Sequence, residues 1–70
     1  MKISARNVLK GKVEKVTHGA VNTEIVLQLA GGAQVVSMIS KESAEKLGLK
    51  KGRVAYAVIK ASNIILGVPA

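Results

Sequence analysis

Cysteine is absent from the chain, which excludes disulfide bonds and thiolate metal sites, and His18 alone cannot form a zinc centre. Aspartate is absent as well, and the only acidic residues are 4 glutamates. Such a sequence provides no paired acid and base and no activated nucleophile, so it argues against an enzyme. It also predicts no protein-bound metal and no covalent cofactor.

Long apolar runs are missing too. No stretch approaches the roughly 20 apolar residues that cross a membrane, and the polar residues Lys2 and Ser4 interrupt the region where a signal peptide would be apolar. The sequence therefore predicts a cytoplasmic protein with no membrane partner.

Tyr56 is the only aromatic residue in the chain, whereas proteins that bind single-stranded nucleic acids stack bases on aromatic side chains. Nucleic acid is thus disfavoured as a partner.

The charged residues of the chain are mostly positive. Lysine and arginine number 11, so the formal net charge is +7, and this predicts an anionic partner. Two partners remain open at this point. One is a small oxyanion held in a pocket, and the other is the phosphate backbone of a nucleic acid bound by a small basic barrel.

The length of 70 residues indicates a single domain over residues 1–70. A chain of this size buries only about 60% of its unfolded surface, and disulfide or metal staples are missing here. Since 49% of the residues are hydrophobic, part of the apolar surface is expected to lie between subunits. The sequence therefore predicts a homo-oligomer.

Hydrophobic periodicity predicts an all-β fold with one short helix. The predicted strands cover residues 8–18, 21–29, 34–39, 53–60 and 63–68, and the helix covers Lys41–Leu47. An odd step between Val13 and Val16 predicts a bulge, and Gly31-Gly32 predicts a hairpin turn without the features of a phosphate loop. This order matches the five-stranded OB-fold barrel, with an SH3-like barrel as the alternative.

Cations and hydroxyls recur where the apolar runs end. The segments over residues 3–7, 39–43 and 58–62 each combine a cation with short hydroxyls. From the residues alone, Arg6 can also be a solvated surface arginine, and Lys60 can be a lysine whose stem covers apolar surface. A tetrahedral dianion needs such charges and donors, and it needs no catalytic base. Ser40 and Ser43 are also expected to cap the helix, a role that is compatible with oxyanion binding. For His18 the prediction is a solvated side chain at a strand end.

Four segments carry a family resemblance. They are Ser4-Ala5-Arg6-Asn7, Gly19-Ala20-Val21, Ile39-Ser40-x-x-Ser43 and Ile59-Lys60-Ala61. In these segments the chain resembles the molbindins, the small molybdate-binding proteins of the Mop family. The resemblance implies a cytoplasmic homohexamer, arranged as a trimer of dimers, that stores molybdate or tungstate at subunit interfaces.

The resemblance also implies a set of binding residues. The residues implied as oxyanion ligands are Ser4 and Arg6 of one subunit, with Ser40, Ser43, Lys60 and the Ala61 N–H of its neighbour. A possible second oxyanion site involves the backbone N–H groups of Gly19, Ala20 and Val21, because small residues let an ion approach the backbone closely.

Overall fold

The computed structural model describes residues 1–70 and contains four strands, one α-helix and one 3-10 turn. The elements are β1 (Asn7–His18), β2 (Asn22–Leu29), β3 (Gln34–Ser40), α1 (Lys41–Leu47), β4 (Val54–Ile59) and the turn Ala61–Asn63. All strand pairs are antiparallel, and the order in the sheet is β3-β2-β1-β4. The predicted succession of three strands, a helix and a strand is confirmed.

β1 is the central strand and pairs along its length with two neighbours. Its first half pairs with β4, and its second half pairs with β2. The register with β2 shifts between Val13 and Lys15, which confirms the predicted bulge and bends the strand. At Gly11 the strands lie so close that an added Cβ would stand 2.6 Å from the carbonyl oxygen of Gln28. The bend and the close approach let the sheet curl around its inner face.

The core is small and lies on that inner face. β2 supplies most of it, because Thr23, Ile25 and Leu27 alternate with less buried residues and point inward, as the predicted period of two requires. Val13 of β1 completes the apolar cluster. Only 5 of the 70 residues are buried, so the isolated chain leaves much of its apolar surface in water.

The helix has the bounds that its sequence predicts, because both of its ends are specified locally. The Ser40 hydroxyl accepts a hydrogen bond from the Ser43 N–H at 3.1 Å and forms the N-cap. Gly48 closes the other end in the left-handed conformation, with φ of 64°. On the exposed face, Glu42 and Lys46 form an ion pair of 3.1 Å one turn apart. No helix in the structure has the length and hydropathy needed to cross a membrane.

The predicted fifth strand over residues 63–68 is wrong for the single chain. After β4 the chain makes the turn Ala61–Asn63 and continues to its last residue without regular structure. Ile65, Leu66 and Val68 are 94%, 89% and 90% exposed. An apolar pattern shows that a segment can be buried, but it does not show that the same chain supplies the neighbouring strands. The fold is therefore a curled four-stranded sheet and not a closed five-stranded barrel.

The place of the missing strand is an open groove between β3 and β4. These two strands are the edges of the sheet, so each carries backbone groups without a strand partner on one side. The groove has a volume of about 500 Å³, and 13 of the 14 residues that line it are hydrophobic. A strand that closed the barrel would have to lie here.

Candidate oxyanion site

A cleft of about 610 Å³ lies where β1 begins and β4 ends. Its lining includes four of the six residues predicted for the main site, namely Ser4, Arg6, Lys60 and Ala61. The remaining lining residues are Ile3, Ala5, Val58 and Ser62. The folded chain thus brings together residues that are more than fifty positions apart in the sequence.

The ladder between β1 and β4 explains why the two cations meet. Its last pair is Asn7 with Ile59, so Arg6 and Lys60 are the residues that come directly after this pair, just outside the two strands. Neither cation is offset by a carboxylate, since the only ion pair in the structure joins Glu42 and Lys46. A dianion bound in this cleft would meet two positive charges that no carboxylate neutralises.

Two further residues of the cleft region were missed by the sequence analysis. Ser62 lines the cleft and adds a second hydroxyl to that of Ser4. Asn7 donates a hydrogen bond from Nδ2 to the Ile59 carbonyl oxygen at 3.3 Å, directly beside the two cations. The signal for both residues was their position next to Arg6 and Lys60, but only the strand register shows that the two segments adjoin.

A second group of predicted residues surrounds the turn between β1 and β2. Gly19, Ala20 and Val21 line a shallow cavity of about 460 Å³ together with His18. The helix start adjoins this turn, because the Lys41 N–H donates to the Val21 carbonyl oxygen at 2.8 Å. The candidate second site and the predicted serines at the helix start therefore lie in the same region.

The two serines at the helix start form hydrogen bonds with each other in this chain. The Ser40 hydroxyl donates to the Ser43 hydroxyl at 2.8 Å while it caps the helix. His18 is exposed, as predicted, and its Nδ1 lies 2.9 Å from the Oγ1 of the fully buried Thr23. This contact ties the end of β1 to β2, because His18 and Thr23 are register partners.

The two groups lie at opposite ends of β1. One precedes Asn7 and the other follows His18, and the 12 residues between these ends extend along about 40 Å of strand path at roughly 3.3 Å per residue. A single ion cannot touch both groups of one chain. Within one chain, Lys60 and Ala61 also lie with Ser4 and Arg6, whereas the sequence analysis grouped them with Ser40 and Ser43.

Comparison with known families decides what kind of domain this is. The family model described as the TOBE domain matches residues 3–66. The chain belongs to the TOBE-domain family. The match spans every residue of the cleft, of the turn between β1 and β2 and of the helix start.

Known proteins resemble this TOBE domain over nearly its whole length. It is 52% identical over 66 residues to molybdenum-pterin-binding protein 3 of Clostridium pasteurianum, a match that covers 94% of this chain and 97% of that protein. The resemblance to the Mop family that the four segments predict is therefore confirmed.

Solved structures share the fold of this TOBE domain. MopII from Clostridium pasteurianum superposes with a TM-score of 0.91 at 45% identity, covering 96% of this chain and 100% of that chain. ModG, a cytoplasmic molybdate-binding protein solved with molybdate bound, gives a TM-score of 0.94 at 55% identity. This comparison covers 99% of the present chain and 49% of the ModG chain. Molybdenum-pterin-binding protein 3 and ModG are both described as binding proteins.

Proposed function

We propose that this TOBE domain is a cytoplasmic protein that binds molybdate, and also tungstate, in order to store the oxyanion without changing its chemistry. The observation that carries the proposal is that Arg6 and Lys60 line one cleft just beyond the last pair of the β1–β4 ladder, and neither forms an ion pair with a carboxylate. Relatives of similar length bear names that refer to molybdenum, and the structurally similar ModG holds molybdate.

Each residue of the cleft has a distinct task in this proposal. The planar guanidinium of Arg6 donates two parallel hydrogen bonds to two oxygens of the ion, and the Lys60 ammonium supplies the second positive charge. The Ser4 hydroxyl and the Ala61 N–H donate to the remaining oxygens. Sulfate is smaller, so a shell spaced for molybdate leaves it with imperfect hydrogen bonds. A protonated phosphate brings a donor into a shell that consists of donors.

The complete site needs more than one chain. Ser40 and Ser43 lie at the far end of β1 from the cleft, so they reach an ion bound at Arg6 only when they belong to a neighbouring subunit. This supports an assembly with sites at subunit interfaces, which we expect to be a hexamer built as a trimer of dimers. The turn Gly19-Ala20-Val21 forms a second class of site in the same assembly.

The apolar surface supports the same assembly. Residues 64–68 are exposed and have no strand partner, while the groove between β3 and β4 is apolar and lacks a strand. In a dimer, this segment of one copy fills the groove of the other copy. The exchange closes both barrels and buries the side chains that a single chain leaves in water.

Calorimetric titration tests the proposed ligand. Molybdate and tungstate should bind tightly, while sulfate and phosphate at the same concentration should bind weakly. Arg6→Gln or Lys60→Gln should each cost about 2–5 kcal/mol of binding free energy, because the dianion then lacks one of its compensating charges. Lys51→Gln is the matched control, since Lys51 lies exposed in the turn before β4 and lines neither cavity.

Two outcomes would contradict the proposal. Equal losses at all three positions would mean that diffuse charge, and not the cleft, attracts the ion. A steep decrease of affinity with salt, combined with binding of oligonucleotides, would favour the nucleic-acid alternative through counterion release. Only a moderate dependence on salt is expected of a dianion enclosed between two cations.

A further inference from the structure

The end of the β1–β4 ladder contains one interaction that the proposed ligands do not use. Asn7 is half-buried and forms the last pair of the ladder with Ile59. Its Nδ2 donates to the Ile59 carbonyl oxygen at 3.3 Å. Since a carbonyl oxygen only accepts, the carboxamide must present its NH2 group to Ile59, and this fixes the orientation of the side chain.

The two cations next to Asn7 are held very differently. Lys60 leads into a turn in which the Asn63 N–H donates to the Lys60 carbonyl oxygen at 2.9 Å. Residues 1–6 form no hydrogen bond outside the strand ladder, either through the backbone or through side chains. The position of Arg6 relative to Lys60 therefore depends on Asn7, the residue that follows this segment and begins β1.

We infer that Asn7 is a positioning residue for the oxyanion cleft. It acts as a clamp between the first residue of β1 and the last residue of β4, and it restricts how far Arg6 can move from Lys60. The inference rests on the proposed function, because it assigns a task to Asn7 at the proposed site. Asn7 would then contribute to the preference for molybdate over sulfate without touching either ion.

The physical consequence concerns spacing. Without the hydrogen bond, the Arg6 segment can swing away from β4 and the distance between the two cations is no longer restricted. A site of variable width still attracts dianions, but it loses the advantage that fixed spacing gives to the larger one. Loss of Asn7 should thus reduce the preference for molybdate over sulfate more than it reduces attraction to charge in general.

The test is calorimetric titration of the wild-type protein and three variants with molybdate and with sulfate. Asn7→Ala removes the clamp, and Asn7→Gln retains a carboxamide donor that can reach the Ile59 carbonyl. Gln34→Ala is the matched control, because it removes another side-chain hydrogen bond between strands, from Gln34 to Gln28 at 3.0 Å, away from the cleft.

We expect Asn7→Ala to weaken molybdate binding about two- to tenfold, the range that one net hydrogen bond contributes, and to weaken sulfate binding less. Asn7→Gln should recover part of the loss, and Gln34→Ala should match the wild type. If the ratio of molybdate affinity to sulfate affinity is the same in Asn7→Ala as in the wild type, the clamp is refuted while the proposed function stands. If the wild type binds neither ion, the proposed function itself fails.

Discussion

Replacing Leu66 by asparagine tests how the chain completes its barrel. Ile64, Leu66 and Val68 share one face of the segment if it is extended, and Leu66 is the middle residue of that face. In the single chain the Leu66 side chain is 89% exposed, so Leu66→Asn should not destabilise an isolated chain. If the segment fills the groove of a second copy, the same change removes an apolar side chain from an interface.

The magnitude follows from burial. Burying a leucine side chain completely contributes about 1.5–3 kcal/mol, and a reciprocal exchange places two such side chains in each dimer. Association should therefore become less favourable by about 3–6 kcal/mol, which raises the dimer dissociation constant by a factor of roughly 150 to 20,000. Ile65→Asn is the control, because Ile65 is equally exposed in the chain but lies on the opposite face of the segment. It should have a smaller effect.

Sedimentation equilibrium without oxyanion measures the dissociation constants directly. Cross-linking adds the geometry, because the chain has no cysteine of its own. A mixture of Leu66→Cys chains and Ser37→Cys chains should form mixed disulfides, since Ser37 lines the groove, whereas Lys50→Cys chains should not pair with Leu66→Cys. Identical association of the wild type and Leu66→Asn would refute the exchange.

Three further predictions concern stability. Gly11→Ala should lower the free energy of unfolding by about 1–3 kcal/mol in urea titrations, because the new Cβ meets the Gln28 carbonyl oxygen at 2.6 Å; unchanged stability would contradict the close approach of the strands. Ser40→Ala should lower the free energy of unfolding by about 0.5–2 kcal/mol, because the helix loses its N-cap. Ser43→Ala should keep the fold, but molybdate should raise its melting temperature less than it raises that of the wild type. Molybdate at about 100 times its dissociation constant should stabilise the wild type by roughly 2.7 kcal/mol per site, with sulfate doing much less, and an unchanged melting temperature would exclude the site.

Local elements of the fold were predictable because their causes lie within a few residues. The helix bounds follow from a serine cap and a glycine stop, and both are visible in the sequence. The bulge in β1 follows from the odd step between Val13 and Val16. The turn at Gly31-Gly32 follows from the need for positive φ, which is 86° and 97° at these glycines. In each case the decisive interaction joins near neighbours.

The candidate site was predicted in part. The family resemblance implied six ligands, and the structure brings four of them, Ser4, Arg6, Lys60 and Ala61, to one cleft. It missed Ser62 and the hydrogen bond of Asn7, because neither residue type indicates a site until its neighbour across the ladder is known. Lys60 was predicted to lie with the serines of the helix start, whereas within one chain it lies with Ser4 and Arg6. Only the strand register shows which strand ends adjoin.

The amino-acid sequence establishes the chemical character of the protein. It is a basic chain without cysteine or aspartate, with cations and hydroxyls at strand ends and more apolar surface than one small core can bury. The folded chain alone shows which of these groups lie together. The register of β1 with β4 places Arg6 beside Lys60, and the open edges of β3 and β4 leave the last apolar segment without a partner in its own chain. This difference arises because a hydrophobic pattern reports only the environment that a segment prefers. Strand pairing joins residues as far apart in the sequence as Asn7 and Ile59.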